Sequence, residues 1–385
     1  MQRWTIHLEG GPKRVNHAAV AIGDSIFSFG GYCTGEDYDT TRPMDVYILD
    51  TLSLRWRLLP GIPINHPDYD LVPYQRYGHT AVAVGDCAYI WGGRNDKDGA
   101  CNILYCFDTS MMKWNKPVIN GPIPGARDGH SACVINNKMY IFGGYEEEID
   151  RFSNDVHAFD FTSMQWISVK ANGSPARWRD FHTATAVGNT MFVFGGRSDD
   201  GGDVFTNNEI YCNKVQTFDT SSNTWYEPVV SGTIPQGRRS HSAFYYEDHL
   251  YIFGGYNGIH ENHFNDMYKL EPGKMKWSKV KVKGQGPCPR RRQCCCRIGS
   301  CVYLFGGTSP KNPQMTTTHI PLAETDLTDH SDLYVLDFSP SLKVLCELAV
   351  LEYKQDTSFL PMNIRWELAA MTTNNNISRS SNTTG

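Results

Sequence analysis

The sequence predicts an all-β protein, a six-bladed β-propeller closed by an N-terminal strand and followed by a short helical segment. Three observations support this fold. Gly-Gly pairs begin at positions 30, 92, 143, 195, 254 and 306, and an Arg lies sixteen residues before each. Each unit reads as four short strands of alternating polarity separated by turn residues. One sheet of this size cannot bury both faces, so we expect the six units to pack radially.

Composition excludes several classes of protein. The 385 residues are 40% hydrophobic, too apolar for a disordered chain, and 36 Lys and Arg against 41 Asp and Glu leave a net charge of −5. We therefore expect no direct nucleic-acid partner, only indirect association through chromatin proteins. No apolar run predicts a membrane span, and the first residues lack a signal peptide. Twelve Cys without a Cys-x-x-Cys pair indicate reduced thiols, and we predict a cytoplasmic protein that can also be nuclear.

The order of residues within each unit predicts where the ring closes. After each Gly-Gly pair a third strand ends near an acidic residue, and a Trp follows six positions later in the first five units. The sixth unit has Lys343 at that position, whereas Trp4 lies in a strand that belongs to no unit. We predict that residues 2–8 supply the outer strand of blade six, so that the propeller spans residues 1–338. A period near 50 residues with these repeated positions resembles the kelch repeat.

Repeated His and Cys residues were considered as metal or redox sites. A His precedes five of the six Gly-Gly pairs by thirteen residues, and we interpret these side chains as structural hydrogen-bonding groups. The run Cys294–Cys296 falls on the first strand of blade six, where small buried side chains are expected; a redox or metal role is the alternative. No nucleophile elbow, phosphate loop or carboxylate pair is present. We predict a non-catalytic protein without metal or cofactor.

Loops at one end of a propeller usually form the binding surface. The residues after each repeat Arg and after each Gly-Gly pair should open there. The predicted ligand-binding residues are Arg197, Arg239, Ser240, Arg291, Arg292, Tyr77, Tyr145, Trp178, Asp128 and Asp180. Guanidinium groups walled by aromatic rings suit a carboxylate, although the Arg side chains could instead tie blades together through acidic residues. Asp128 and Asp180 could receive a basic group of the ligand or pair with the Arg.

The period changes from two to that of a helix after residue 338. Ser339-Pro340 is typical of a helix start. Leu342, Cys346 and Val350 share one face and resemble a BC box, the helix that binds Elongin C. Leu360, Pro361, Ile364 and Leu368 resemble the cullin box that selects cullin 2. Either stripe could also belong to an amphipathic helix docked on the propeller. We assign residues 339–370 to this helical segment.

From Trp4 to about Ser378 the chain resembles the kelch-repeat substrate receptors of cullin 2 RING ubiquitin ligases, notably in segments 174–182 and 289–296. This resemblance implies partnership with Elongin C and Elongin B, cullin 2 and a RING subunit. It also implies capture of proteins that end in Gly preceded by a basic or polar residue, for ubiquitination and proteasomal degradation.

The same resemblance implies that Arg197 and Arg239 grip the terminal carboxylate. A related diglycine-reading receptor has Ser at the second position and a further Arg that has no match in residues 198–208. Ser240, Arg291 or Arg292 are expected to compensate. The alternative class of function is a kelch scaffold that binds chromatin-associated or actin-associated partners.

The last residues, 371–385, are mostly Thr, Asn and Ser, and we expect a flexible tail. The chain ends in Gly385. We hypothesise that this Gly occupies the ligand pocket of its own or a neighbouring molecule.

Overall fold

The computed structural model describes residues 1–36, 40–206, 208–312 and 326–377. Six sheets of four main strands surround one axis, which confirms the predicted six-bladed propeller. The innermost strand of each blade contacts the innermost strands of both neighbours, and the sixth contacts the first, so the ring is closed. The hypothesis on Gly385 concerns a residue outside the described ranges.

The main strands of each blade are given from the axis outward. Blade one contains Ala18–Ile22, Ser25–Phe29, Val46–Asp50 and Arg55–Leu58; blade two Tyr77–Val84, Cys87–Asn95, Tyr105–Asp108 and Lys113–Asn115; blade three Ser131–Ile135, Lys138–Phe142, Val156–Asp160 and Gln165–Ser168. Blade four contains Thr183–Val187, Thr190–Phe194, Gln216–Asp219 and Thr224–Tyr226; blade five Ser242–Tyr246, His249–Phe253, Met267–Glu271 and Lys276–Val280; blade six Cys294–Ile298, Cys301–Phe305, Leu333–Asp337 and Arg3–Leu8.

Shorter elements decorate the blades. The short strands are Gly99–Ala100, Tyr145–Glu146, Arg151–Phe152, Asn172–Gly173, Arg197–Asp199, Glu209–Tyr211, Ser231–Gly232, Tyr256–Asn257, Asn262–His263, Thr308–Pro310 and Leu327–Asp329. Two 3-10 helices span Tyr69–Leu71 and Glu147–Ile149, and two α-helices follow the propeller, α1 (Leu342–Glu352) and α2 (Met362–Thr372).

The N-terminal strand completes blade six as predicted. Arg3–Leu8 pairs antiparallel with Leu333–Asp337, and Trp4 lies opposite Leu336. The Trp4 side chain is buried beside Phe253 of blade five and Tyr334 of blade six. It therefore takes the place that the outer-strand Trp residues occupy in the other five blades.

A closed ring of backbone hydrogen bonds surrounds the axis. It is formed by the residue two positions after each repeat Arg, in every case with a left-handed backbone (φ between 49° and 70°). Each N–H donates to the carbonyl of the preceding blade: Gly78 to Asn16, Gly129 to Gly78, Phe181 to Gly129, Ser240 to Phe181, Arg292 to Ser240 and Asn16 to Arg292, at 2.7 to 3.3 Å. The pattern closes only when six blades are present.

The repeat Arg side chains anchor the ring from inside the blades. In blades two to six, Nη1 donates to the carbonyl of the first Gly of the same blade's pair; the donors are Arg76, Arg127, Arg179, Arg238 and Arg290. These guanidinium groups are almost fully buried. Several also bind an acidic or amide side chain, as Arg238 does with Asp266 at 2.7 Å and Arg179 with Gln216 at 2.7 Å. Their role is structural.

Four of the five repeat His side chains bond to the preceding blade through Nε2, as predicted, whereas neither ring nitrogen of His17 has a hydrogen-bond partner in the described chain. Nε2 of His130, His182 and His241 lies 2.7 to 2.8 Å from a Ser or Thr hydroxyl of the neighbouring inner strand, and His79 Nε2 lies 3.0 Å from the Phe29 carbonyl. Burial, with a smaller effect of Arg76, lowers the pKa of His79 to about 3. These rings are therefore neutral at pH 7, and in four of them the neighbouring blade binds Nε2.

The Gly-Gly pairs lie where two blades approach closely. The second Gly of each pair donates its N–H to the carbonyl of the next blade's repeat Arg, for example Gly144 to Arg179 at 2.8 Å. Gly144 has a φ of 92°, and a β-carbon there would lie 2.8 Å from the Asp128 carbonyl oxygen. No other residue fits this position without moving the backbone.

Hydrophobic cores lie between blades. One buried cluster joins Phe29 of blade one to Phe107 and Trp114 of blade two, and another joins Phe142 of blade three to Trp225 of blade four. The outer-strand Trp residues thus pack against the preceding blade. Burying a large aromatic side chain stabilises a fold by about 2–3 kcal/mol, so these contacts stabilise the ring.

The two helices follow the propeller, but α1 begins later than predicted. Ser341, rather than Ser339, is the N-cap, and its Oγ accepts the Val344 N–H at 3.2 Å. Pro340 lies one residue before the cap, in the link between blade six and α1, and is not part of the helix. Lys343 of α1 is ion-paired with Glu367 of α2, and α2 contacts the N-terminal strand. None of the described helices is long and apolar enough to cross a membrane.

The segment after α2 is bound to the propeller as far as it is described. Helix α2 extends to Thr372, and Arg55 Nη1 donates to the Thr373 carbonyl at 2.8 Å. Asn375 is buried; its Oδ1 accepts the Trp56 N–H at 2.9 Å and its Nδ2 donates to the Leu54 carbonyl at 3.1 Å. Residues 371–377 of the predicted tail are thus attached to blade one.

Replacing Gly144 by Ala should destabilise the propeller strongly. The added β-carbon meets backbone and His130 within 3 Å, whereas Gly188, with a φ of 56°, has nothing within 4 Å. Gly188→Ala should lower the free energy of unfolding only by the cost of placing Ala in a left-handed backbone, about 1–2 kcal/mol. We expect Gly144→Ala to lower the free energy of unfolding by a further ~2 kcal/mol or more in urea titrations. Equal losses in the two variants would contradict the proposed blade crowding.

Candidate functional site

One end of the propeller collects the predicted ligand-binding positions. Short β-bridges pair the residue after the repeat Arg with the residue after Gly-Gly in the same blade. The pairs are Val15 with Tyr32, Asp128 with Tyr145, Asp180 with Arg197, Arg239 with Tyr256 and Arg291 with Thr308. The hydrogen-bonded ring holds the next residue of each blade at the axis. The side chains at this mouth are therefore fixed by the most rigid part of the fold.

Arg197 is already neutralised by acidic neighbours. Its Nε donates to Asp180 Oδ1 at 3.1 Å, its Nη2 binds Asp180 Oδ2, and its Nη1 lies 3.5 Å from Glu209 Oε1. Arg239 Nη1 also binds Glu209 Oε1, at 3.1 Å. Two of the predicted cations are thus engaged with carboxylates of the protein. Asp180 pairs with Arg197, which is one of the two roles that the sequence left open for it, the other being binding of a basic group of the ligand.

Arg291 differs from these two arginines. It is buried, with 7% of its surface exposed, and its guanidinium lies 4.3 Å from the centre of the Tyr256 ring. It forms no ion pair with any residue in the described ranges. Burial, followed by repulsion from Arg292 and Arg239, lowers its pKa to about 9. A buried cation beside other cations favours binding of an anion.

Arg292 and Ser240 belong to the axial ring. Both have left-handed backbones and bond to neighbouring blades through their N–H groups. The Arg292 Nη1 binds the hydroxyl of Tyr32 in the adjacent blade one. Ser240 lines a small axial depression together with the repeat His side chains. These two residues therefore line the centre of the mouth.

The opposite side of the mouth is acidic. Asp128 is 6% exposed, and its carboxylate makes no hydrogen bond or ion pair within the part of the chain that the structure describes. Burial, followed by the neighbouring Asp180, raises the pKa of Asp128 to about 7, while Arg94 and Arg197 act in the opposite direction. Asp128 can therefore accept a basic group or an N–H of a ligand, the role that the sequence analysis considered for it.

A cavity of about 380 Å³ extends from the axis to the side of the mouth formed by blades one to three, and Arg197, Arg239 and Arg291 do not line it. Its lining includes Arg292 and Asn16 at the axis, Asp128 and Tyr77, and the first loop of blade one. The volume is at the lower end of the range for small ligand pockets. The cavity places a cationic and an acidic group around one space, which suits a ligand end that carries both charges.

The three predicted aromatic residues have different environments. Tyr77 packs edge-to-face on Tyr32 at 5.2 Å, and its hydroxyl donates to Asp96 at 2.7 Å. Tyr145 binds Asp150. Trp178 is half-buried beside Arg177, and its carbonyl accepts the Ser198 hydroxyl at 2.7 Å. Trp178 is not among the residues that line the cavity.

Several residues of the mouth are not in the ligand-binding set predicted from the sequence. Tyr32, Tyr256 and Arg94 follow Gly-Gly pairs, and the repeat register predicts that these positions open at the mouth. Tyr32 lines the cavity, and Tyr256 supports Arg291. Glu209, which neutralises Arg197 and Arg239, lies beyond the Gly-Gly loop of blade four, where no repeat position marks it.

Helix α1 exposes the predicted apolar stripe. Leu342 is 77% exposed, Cys346 is exposed and Val350 is half-buried. The stripe of α2 is different, because Leu360 and Ile364 are half-buried and Leu368 is only 5% exposed. Leu368, which the sequence predicts to contact a cullin, is therefore covered by other residues of this chain in this arrangement. Pro361 caps α2 and is exposed, as is Trp366 at 72%.

Comparisons with known proteins agree with this architecture. The family described as the KLHDC2/KLHL20/DRC7 Kelch-repeats domain matches residues 78–307, and the Kelch motif matches residues 13–63. Kelch domain-containing protein 3 of Rattus norvegicus is 57% identical and that of Homo sapiens 56% identical, each over 98% of both chains.

More distant similarities extend to other propellers. Host cell factor 2 of Homo sapiens is 30% identical over 64% of this chain and 32% of its own length. The solved structure of YjhT, 16% identical, covers 84% of this chain and 98% of its own with a TM-score of 0.59, a likeness of fold alone. The repeat, the closed six-bladed ring and the full-length similarity together show that the chain belongs to the kelch-repeat family, in the group of kelch domain-containing protein 3.

Proposed function

We propose that this protein is the substrate-recognition subunit of a cullin 2 RING ubiquitin ligase that binds proteins by a C-terminal Gly. In this function the propeller mouth holds the terminal carboxylate, and the C-terminal helices bind Elongin C, with Elongin B, and cullin 2 with its RING subunit. The observation that carries the proposal is Arg291, a buried guanidinium without a carboxylate partner in the described chain.

The carboxylate is assigned to the side of the mouth formed by blades five and six. Arg197 and Arg239 already bind Asp180 and Glu209, so their charge is largely compensated. An incoming carboxylate beside Arg291 replaces repulsion between cations by charge-assisted hydrogen bonds, which are among the strongest in proteins. Arg292 and Arg239, whose charges act on Arg291 in the free protein, lie beside the bound carboxylate. Arg197 acts mainly by holding Asp180 and Glu209 in place.

Selection of Gly follows from size. A carboxylate that reaches a buried guanidinium must enter with its α-carbon close to the pocket wall, where a β-carbon would be excluded. The positive charges provide affinity, and the narrow entry provides specificity. The residue before the Gly then faces the acidic side of the mouth, where Asp128 accepts a basic or polar side chain.

The adaptor end is supported by the exposed stripe on α1. An exposed Leu followed by Cys and Val at helical spacing presents an apolar ridge to solvent, and such ridges dock in grooves of partner proteins. The protein itself breaks and forms no bond. It brings substrate and ubiquitin-charged enzyme together, so that its contribution to ubiquitination is proximity.

Replacing Arg291 by Gln should weaken binding of a peptide ending in Lys-Gly by roughly tenfold to a hundredfold. The estimate follows from the ~1.5–3 kcal/mol of a hydrogen bond to a charged group. Fluorescence anisotropy with a labelled peptide measures it, and Arg297→Ala, at an exposed Arg on the blade-six strand, is the control.

The protein without substitutions provides a second test of whether the mouth binds a terminal carboxylate. A peptide whose terminal carboxylate is amidated should bind at least tenfold more weakly to it, and a peptide ending in Lys-Ala should also bind more weakly. Equal affinities for the free and amidated peptides would overturn the proposal even if Arg291→Gln fails to fold.

Binding of the Lys-Gly peptide should strengthen as the pH rises from 6 to 8. Asp128 has a pKa raised to about 7, so its carboxylate becomes charged in this range and attracts the peptide's ammonium group. The charged groups that face it are Asp180, Arg94, Arg197 and Glu147. Asp128→Asn should remove most of the pH dependence and should leave a Leu-Gly peptide unaffected. A pH profile shared by both peptides and both proteins would contradict this role of Asp128.

Disrupting the α1 stripe should abolish assembly with Elongin C. The double variant Leu342→Ala, Cys346→Phe removes one apolar contact and introduces a clash in the partner groove. We expect co-purification with Elongin B and C to fall at least tenfold. Leu52→Ala is the matched control, since Leu52 is 78% exposed and Leu342 77%, but Leu52 lies on blade one. Unchanged co-purification would instead favour a scaffold that binds chromatin-associated or actin-associated partners.

A further inference from the structure

Cys288 has an unusual environment at the edge of blade six. It is exposed, lies between Pro287 and Pro289, and precedes the repeat arginine Arg290 by two residues. Its Sγ is 3.3 Å from Arg290 Nη2 and 3.5 Å from His330 Nε2. The flanking prolines restrict the backbone, so the sulfur is held between two nitrogen donors.

This contact departs from the pattern of the other blades. In blades two to five, the repeat Arg donates Nε to the backbone carbonyl two residues earlier, as Arg238 does to Gln236 at 3.1 Å. In blade six, Arg290 Nε has no hydrogen-bond partner in the described chain, and Nη2 binds the Cys288 sulfur instead. The guanidinium of this blade is turned toward a side chain.

His330 is the second departure at the same place. Its N–H donates to the carbonyl of Gly307, just as the N–H of Phe264 donates to Gly255 in blade five. Phe264 packs on its repeat arginine, with the Arg238 guanidinium 3.9 Å from the ring centre. Blade six therefore replaces a phenyl ring by an imidazole whose Nε2 lies 3.5 Å from the Cys288 sulfur and 2.8 Å from the Ser309 hydroxyl. Behind it, Asp332 Oδ2 lies 3.8 Å from His330 Nδ1 and accepts a hydrogen bond from Arg290 at 2.7 Å.

We propose that Cys288 is a modification site, a thiol deprotonated by His330 and Arg290 for reaction with hydroperoxides. This inference is independent of the proposed ligase function. The arrangement places a base and a guanidinium beside a nucleophile, with a carboxylate 3.8 Å from the other nitrogen of the base, and cationic or basic neighbours of this kind activate a cysteine.

The reaction is balanced as follows. His330 Nε2 accepts the thiol proton, and the thiolate attacks one oxygen of a hydroperoxide. An S–O bond forms while the O–O bond breaks; sulfur is oxidised by two electrons and the peroxide is reduced to an alcohol or water. The leaving oxygen takes the proton from His330, and the product is the sulfenic acid, which thiols reverse.

The surrounding charges support this reactivity. Burial alone would raise the pKa of Cys288, but His330 and Arg290 lower it to about 7. Asp332 and Tyr334 complete the titratable groups around the sulfur, and His7 and Glu9 face Asp332 from the N-terminal strand. The cysteines of the first blade-six strand are opposite in character, because burial raises the pKa of Cys295 to about 12.

Alkylation of the full-length protein by iodoacetamide tests the thiolate, with Cys346 as an internal control because it is also exposed. At pH 6.5 a thiol with a pKa of about 7 is roughly a quarter ionised, against about 1% for an ordinary thiol. The lower intrinsic nucleophilicity offsets much of this advantage. Peptide mass spectrometry should show Cys288 reacting roughly fivefold faster than Cys346 at pH 6.5, with the advantage lost at pH 9.

Oxidation is tested with hydrogen peroxide in the presence of dimedone, which traps sulfenic acid. Label should accumulate on Cys288 before Cys346. His330→Phe, which restores the blade-five residue, should reduce both rates at Cys288 to those of Cys346, and Cys288→Ser should remove the label. Equal rates at the two cysteines, or an unchanged Cys288 rate in His330→Phe, would overturn the proposal.

Discussion

The hydrogen-bonded ring around the axis is the constraint on which the rest of the structure depends. Each of six residues donates to the preceding blade and accepts from the next, and all have the left-handed backbone that this geometry needs. Four of the six residues are not Gly. Asn16, Phe181, Ser240 and Arg292 adopt this conformation with a side chain present, which costs strain energy. The ring compensates for that strain and fixes both the number of blades and the direction of every neighbouring side chain.

The segment Arg290-Arg291-Arg292 shows how this backbone separates structural from functional roles. Arg290 is directed into the blade and binds Asp332, Arg291 stacks on Tyr256 at the mouth, and Arg292 joins the axial ring. Three identical residues thus have three environments, because successive positions of the loop point in different directions. The first position is Arg in every blade, whereas the second differs between blades and gives each side of the mouth its own charge and polarity.

Much of the fold was predictable because the repeat is local. The absence of a Trp at residue 343 and the presence of Trp4 were enough to predict the closing strand, and the Gly-Gly register placed Asp128, Arg239 and Arg291 at one mouth. The pairing of Arg197 with Glu209 was not predictable, since Glu209 lies outside the repeated positions. The burial of Leu368 also depends on how α2 docks, which helical periodicity does not specify.

Closure by the first strand also determines when the protein can be finished during its synthesis. Arg3–Leu8 leaves the ribosome before every other propeller strand, yet its partner Leu333–Asp337 emerges only after all other blades have been made. The earliest strand must therefore wait, with Trp4 uncovered, until the last blade arrives. Folding of the circle is consequently completed after translation of the propeller, and the nascent chain needs protection of that strand from premature pairing.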